Sequence, residues 1–253
     1  MIDFSGKRVF VTGASRGIGA ACARLFAQAG AAVAVHYRHN QAVAERLFGE
    51  LAKPAGGEHL MVAGDMAQAQ EIQRMFREVR ESWGGLDCLI NNAGIWVHNP
   101  LASFDQAKLA ETWAVNVTAP FLCACEALPL FASAEDPNIV NLTSTAGQRG
   151  EAFYSPYAAS KGAMISATKA WSMELGPRVR VNSVAPGWVD TDMSAAALRD
   201  DLEQRRAIEA SIPLHRVATA EDIAGPVLFL ASPLARHITG EILNVNGGSV
   251  LVG

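Results

Sequence analysis

Tyr157 and Lys161 stand four residues apart in Ser-Pro-Tyr-Ala-Ala-Ser-Lys, and that pair is where this sequence points to chemistry. On a helix the spacing puts both side chains on one face, about one turn apart. A phenol with a pKa of about 10 is a poor acid or base at neutral pH. A nearby ammonium favours the phenolate, so the pair is expected to give a proton donor usable near pH 7. Pro156 suits a first helical turn, and Ala158, Ala159, Ala163 and Met164 continue it. Alone the pattern is common on solvated helices; what surrounds it decides its meaning.

Four further stretches carry chemical potential. Thr12-Gly13-Ala14-Ser15-Arg16-Gly17-Ile18-Gly19 lies between an apolar run and a helical pattern, with glycines spaced G-x-x-x-G-x-G. Such a turn lets backbone approach a pyrophosphate and offers it the amides and positive end of a helix. Asn91-Asn92-Ala93-Gly94 follows another apolar run and, read locally, is a turn. Asn116 sits within a helical pattern, where asparagine is a poor former and local propensity does not explain it. Ser144 stands thirteen residues before Tyr157, and Pro186-Gly187 closes a later apolar run.

The elements that must position these residues alternate along the whole chain. Strands are expected at Arg8–Val11, Ala32–Tyr37, Leu60–Ala63, 86–90, Asn138–Leu142, 179–184 and 241–245. Helices are expected at 18–29, 41–51, 68–83, 104–131, 156–175, 194–210 and 220–230, the fourth bent or loosened at Pro120 and Pro129. The strands are unbroken apolar runs, as in a parallel sheet covered on both faces. The expected fold is therefore α/β, a single-domain Rossmann-type doubly wound parallel sheet of about seven strands over residues 1–253, with a substrate loop and helix around 186–215.

Composition narrows the classes. The chain has 253 residues, is half hydrophobic and carries a net charge of −4, which argues against a nucleic-acid binder. No stretch reads as a signal peptide or a membrane span, so a cytoplasmic protein without a membrane partner is expected. Four cysteines make no disulfide framework, and Cys123 and Cys125 would diverge on a helix; all are expected to be buried thiols. No His/Cys pattern has metal-ligand spacing, and no metal is expected.

Taken in order, these motifs resemble the short-chain dehydrogenase/reductase family, including members that act as 3-oxoacyl-acyl-carrier-protein reductases. The resemblance spans essentially the whole chain, down to Asn-Val-Asn-Gly-Gly at 244–248. It implies an NAD(P)-dependent enzyme acting on CH–OH and C=O groups. Tyr157 would be the acid/base, Lys161 the residue that tunes it and holds the nicotinamide ribose, Ser144 the hydroxyl that positions the carbonyl, and Asn116 the holder of a relay water. Gly13, Ser15, Arg16, Gly17, Ile18 and Gly19 would bind the pyrophosphate. Asp65 and Met66 would lie at the adenine, and Asn92, Ala93 and Gly94 under the adenosine ribose. Thr191 would lie near the carboxamide, and Pro186, Gly187 and Val189 would also bind the cofactor. The resemblance also implies a homotetramer, joined by the two long apolar helices and the tail at 249–253.

Cofactor preference is read from charge. No acid occurs from Val33 to Gln41, while Arg38 and Arg16 could clamp a 2′-phosphate, so NADP(H) is favoured and NAD(H) left open. By position alone, Trp96, His98, Gln148, Arg149, Phe153, Trp188 and Met193 would line the substrate pocket, which suits a small, largely apolar ketone or alcohol. Reduction of a carrier-bound 3-oxoacyl group is the alternative. Segment 132–138 has acids and no base with which to greet an acidic carrier. A non-catalytic dinucleotide sensor is the more distant rival, because the full catalytic set is present.

Overall fold

The structure, a computed structural model, describes residues 2–252. Seven parallel strands form one sheet in the order β3-β2-β1-β4-β5-β6-β7. They are β1 (Arg8–Val11), β2 (Ala32–Tyr37), β3 (Leu60–Ala63), β4 (Cys88–Asn91), β5 (Asn138–Leu142), β6 (Arg180–Pro186) and β7 (Ile242–Val245). Helix α1 (Gly17–Gln28) follows β1, α2 (Gln41–Glu50) follows β2 and α3 (Ala69–Trp83) follows β3. After β4 come α4 (Gln106–Trp113) and α5 (Ala119–Ala127); after β5, the short α6 (Thr145–Arg149) and the long α7 (Ser155–Leu175). Helices α8 (Ala195–Leu198), α9 (Leu202–Ser211) and α10 (Ala220–Ala231) connect β6 to β7.

Each face of the sheet has its own apolar cluster. On one side Val9, Val11, Val33, Val35 and Ile90 pack against Phe26 of α1 and Val227 of α10. On the other, Phe10, Leu89, Ile139 and Val181 meet Phe76 of α3, Cys123 of α5 and Trp171 of α7. A strand buried on both faces has no solvent side to mark with polar residues, which is why these runs are continuous. The order changes direction between β1 and β4, so the loops after β1 and β4 diverge and leave a crevice at the strand ends.

Three sequence expectations need correction. The helix expected over 194–210 is broken: α8 ends at Leu198, and Asp201 starts α9 by accepting the Gln204 N–H at 2.8 Å. Within 106–133 the run is helical for 28 residues and, by length and composition, apolar enough to cross a membrane. Just over half of its most apolar window is buried, with Val115, Ala119, Cys123 and Phe131 in the second cluster, as in a core helix. Finally, Cys22, Cys88 and Cys123 are buried, but Cys125 is exposed, because residues two apart on a helix face different ways.

The expected loosening of that helix falls where the prolines require it. Ala114–Thr118 forms a wider π turn just before Pro120, and Leu128–Ser133, containing Pro129, tightens to a 3-10 turn. Proline at 120 has no N–H for the Asn116 carbonyl and its ring crowds that oxygen, so the ladder widens at Asn116.

Candidate active site

A cleft of about 470 Å³ lies at the carboxyl ends of the strands, across the switch between β1 and β4. Its glycine turn is braced from β4. The Thr12 hydroxyl accepts the N–H groups of Asn92 and Ala93 at 3.0 Å each, and Asn92 Nδ2 donates to the carbonyls of Thr12 and Gly13 at 2.8 and 3.0 Å. Glycine is required here. A Cβ on Gly13 would meet Ala93 Cα at 2.9 Å, and Gly13 has a φ of 64°. Helix α1 begins at this turn with no side-chain cap, so its first amides remain available to an anion. That uncapped helix end beside a turn with no room for a Cβ fits a dinucleotide pyrophosphate.

Opposite, α7 carries Tyr157 and Lys161 to the floor of the cleft, where Ser144 ends the β5 connection. The Ser144 hydroxyl accepts the Ala146 N–H at 3.0 Å, capping α6, and lies close enough to the Tyr157 phenol to pull its pKa down. Lys161 is buried and donates to the Leu142 carbonyl at 2.7 Å, its Nζ lying 5.8 Å from the Tyr157 ring centroid. The phenol runs against the expectation of a lowered pKa. Burial pushes Tyr157 up to about 12, the Ser144 hydrogen bond pulls it down, and the Glu151 carboxylate adds to the rise. The same burial brings Lys161 down to about 8. In this dry floor the cost of either charge exceeds what the lysine contributes to the phenolate.

Most of the residues singled out from sequence line this cleft: Gly13, Ser15, Arg16, Gly17, Ile18, Arg38, Asp65, Met66, Asn92, Ala93, Gly94, Trp96, Arg149, Trp188, Val189, Thr191 and Met193, besides Pro186, Gly187 and the floor residues. Gly19, Asn116, Gln148, Phe153 and His98 do not. Gly19 lies behind the turn, where a Cβ would run into the Gly13 carbonyl oxygen. Asn116 commits its amide to Ile95, accepting its N–H at 2.8 Å and donating to its carbonyl at 2.9 Å, with a further bond to Ser160 Oγ at 3.1 Å. Gln148 instead ties α6 to β7, its Nε2 donating to Asn244 Oδ1 at 2.6 Å. Phe153 is 65% exposed, at a φ of 67°, and packs on His98 rather than on the cleft.

Neither arginine stands alone. Arg38 pairs with Asp65 at 2.9 Å, and Arg16 with Asp192 at 3.5 Å. Sequence reading also missed His36, Glu151 and Asp192, which line the cleft. Glu151 was detectable only as an acid six residues before Tyr157; it accepts the Trp96 indole N–H at 3.2 Å, and burial raises its pKa. Trp96 stacks on Tyr154 at 4.2 Å and meets Trp188 edge to face at 6.0 Å, so one side of the cleft is an aromatic wall.

The parallel sheet, the unfilled glycine turn at its switch point and the tyrosine over a buried lysine define a Rossmann-type oxidoreductase. Its class moves a hydride between a nicotinamide dinucleotide and a CH–OH or C=O carbon. The profile of a family described as Enoyl-(Acyl carrier protein) reductase matches residues 13–249. The chain is 37% identical to the 3-oxoacyl-acyl-carrier-protein reductase FabG of Staphylococcus aureus over 243 residues, covering 96% of this chain and 97% of that protein. It is 36% identical over 255 residues to a glucose 1-dehydrogenase of Gluconobacter oxydans, covering 99% and 94%. Among solved structures, a short-chain dehydrogenase/reductase of Brucella melitensis described as glucose/ribitol dehydrogenase superposes with a TM-score of 0.93 at 33% identity, covering 99% of both chains. A dehydrogenase/reductase of Sinorhizobium meliloti superposes at 0.90 with 38% identity, covering 98% of this chain and 97% of that one. The chain belongs to the short-chain dehydrogenase/reductase family, and it is an NAD(P)-dependent oxidoreductase acting on CH–OH and C=O groups.

Proposed function

We propose that this protein is an NADP(H)-dependent reductase of a small, largely apolar ketone, or the dehydrogenase of the matching secondary alcohol. The observation that carries the reading is the Ser144–Tyr157 pair on the floor of a cleft walled by the indoles of Trp96 and Trp188. Two convergent hydroxyls orient one oxygen, while apolar walls select its substituents. Ser144 holds the carbonyl oxygen and Tyr157 gives it a proton; when bound, the nicotinamide supplies the hydride. Lys161 holds the ribose and stabilises the phenolate that forms. Asn116 positions the loop through Ile95, and a relay water would have to use its main chain, since its side-chain amide is committed.

Gly13, Ser15, Gly17 and the first amides of α1 would hold the pyrophosphate, and Arg38 and Arg16 a 2′-phosphate. Segment 186–215 shapes the substrate side through Trp188 and Met193. Four chains assemble through the long helices and the tail, and the enzyme works in the cytoplasm. A panel of ketones and alcohols, followed by nicotinamide absorbance with NADPH and NADH, tests the reading. Apolar or aryl ketones should give the highest kcat/KM; rates dominated by sugars would overturn it.

One observation supports a carrier-bound 3-oxoacyl substrate as a second reading. The end of the fourth helical segment has one exposed base nearby after all, supplied from elsewhere in the chain. The exposed Arg178 donates to the carbonyls of Phe131 and Ala132 at 2.9 and 3.0 Å, which puts one cation at that end. Strict dependence on an acyl carrier protein in the same panel would favour it.

A further inference from the structure

His36 is a titratable side chain at the dinucleotide cleft that the chemistry above does not use, and only 2% of it is exposed. Its Nδ1 accepts the Gly13 N–H at 2.8 Å, and its Nε2 lies 3.0 Å from the Gly64 carbonyl. Its own carbonyl accepts the Ala14 N–H at 2.8 Å. A backbone N–H can only donate and a carbonyl can only accept. The imidazole is therefore neutral, with its proton on Nε2. One ring thus joins the turn after β1 to the residue before Asp65, so both ends of the adenosine half of the cleft hang on the same side chain.

We propose that His36 is a positioning residue for the dinucleotide: as the neutral Nε2–H tautomer it sets the Gly13 turn and locks it to the Gly64–Asp65 segment, so that cofactor affinity depends on the imidazole staying uncharged. The inference rests on the dinucleotide reading of the cleft. Protonation at Nδ1 would set a donor against the Gly13 donor, and the turn would have to move. Burial holds the His36 pKa down to about 4, while the Gly64 carbonyl and Asp65 pull upward. The charged groups around it are few. Asp65 faces it from the end of β3, already paired with Arg38 from its own strand end; β1 presents the apolar Phe10 ring edge, and the turn's Arg16 is paired with Asp192. With a folded pKa below the unfolded value of about 6.5, its contribution to folding stability is complete above 6.5 and is lost as pH falls toward 4, whereas within the folded protein the ring stays neutral, and its hold on the turn intact, until pH approaches about 4.

The test is calorimetric binding of NADP+ from pH 7.5 to 4, comparing wild type, His36→Asn and His36→Leu. The asparagine amide oxygen can still accept the Gly13 N–H but does not titrate. At pH 7.5 His36→Asn should stay within about threefold of wild type, whereas His36→Leu, which also loses the Gly13 bond that asparagine keeps, should weaken Kd about tenfold. Cofactor KM should rise in His36→Leu with kcat at saturating cofactor nearly unchanged. As pH falls from 6 to 4, the Kd of wild type should rise about twofold relative to that of His36→Asn as half the imidazoles become protonated, a ratio that cancels the ligand's own titration. Nitrogen-15 shifts of the wild-type imidazole should report protonated Nε2 and bare Nδ1. Wild-type affinity in His36→Leu, or a proton on Nδ1, would overturn the proposal. If His36→Leu fails to fold by circular dichroism, the acid-range ratio with His36→Asn decides, and a flat ratio rejects it. Failure of wild type to bind either dinucleotide would instead reject the reading of the cleft itself.

Discussion

Arg38 Nη2 lies 2.9 Å from Asp65 Oδ2, so the base that ends β2 is already matched by an acid beyond the end of β3. Both groups are partly exposed, and such a pair contributes only about 0–1 kcal/mol. A 2′-phosphate offering charge-assisted bonds can therefore displace the carboxylate. Arg38→Asp should weaken NADPH by about tenfold or more while leaving NADH within about threefold, since it sets two acids where one was neutralised. Asp65→Asn should move preference the other way by freeing the guanidinium. Equal losses for both cofactors in Arg38→Asp, measured by fluorescence titration, would remove the clamp.

Tyr157→Phe should lower kcat by at least about 10²-fold, the usual scale of general acid catalysis, with cofactor Kd nearly unchanged. Wild-type turnover in that variant would refute the acid/base assignment.

The pH dependence of ketone reduction follows from Lys161. Below about 8 it is an ammonium and Tyr157, near 12, keeps its proton. Rising pH removes the lysine charge first, so kcat/KM for reduction should fall as pH passes through about 8. In Lys161→Ala that limb should vanish along with much of the cofactor affinity. A pH–rate profile flat from 6 to 10 in wild type contradicts this.

Glu151 raises the Tyr157 pKa from across the cleft. Glu151→Gln removes that charge while keeping an acceptor for the Trp96 indole, so the tyrosine should titrate at lower pH. Stopped-flow titration of phenolate absorbance in both proteins measures the shift; no shift, or an upward one, counts against the geometry. An uncharged residue there should also raise kcat/KM for apolar ketones.

Gly19→Ala forces a methyl into the Gly13 carbonyl and within 2.5 Å of Asn92 Nδ2. Overpacking of this kind costs about 1–3 kcal/mol, and here the distortion falls on the anion-binding turn. Thermal melting should drop by several degrees and dinucleotide binding should weaken sharply; an unchanged Kd would show that the turn tolerates the shift.

Trp113 and Phe121 on the long helical segment, Met173 on α7 and Leu251 near the tail are exposed apolar side chains. Light scattering at micromolar concentration should report a mass near four chains, and charged substitutions at Phe121 should lower it. A monomer would end the tetramer proposal.

The sequence by itself determined whatever depends on near neighbours along the chain. Apolar runs such as Ala32–Tyr37 have one stable use, as strands covered on both faces, and α7 puts Tyr157 and Lys161 on one face because its period requires it. The tight turn at Gly13 is legible for the same reason, and so is the weak point at Pro120. Only the tertiary structure decided which distant groups neutralise or anchor one another. Position along the chain puts Gln148 at the pocket, but its amide is taken by Asn244, 96 residues away on β7. Arg38 and Arg16 were read as free clamps, yet Asp65 and Asp192 reach them once the strand ends converge. The Tyr157 pKa was inferred from its lysine alone, and its direction reversed because burial acts on the phenolate more strongly than one cation nearby. His36 looked like one more residue in an apolar strand; its two hydrogen bonds exist only because β2 lies between β1 and β3, an adjacency set by the sheet order and written nowhere in the local sequence.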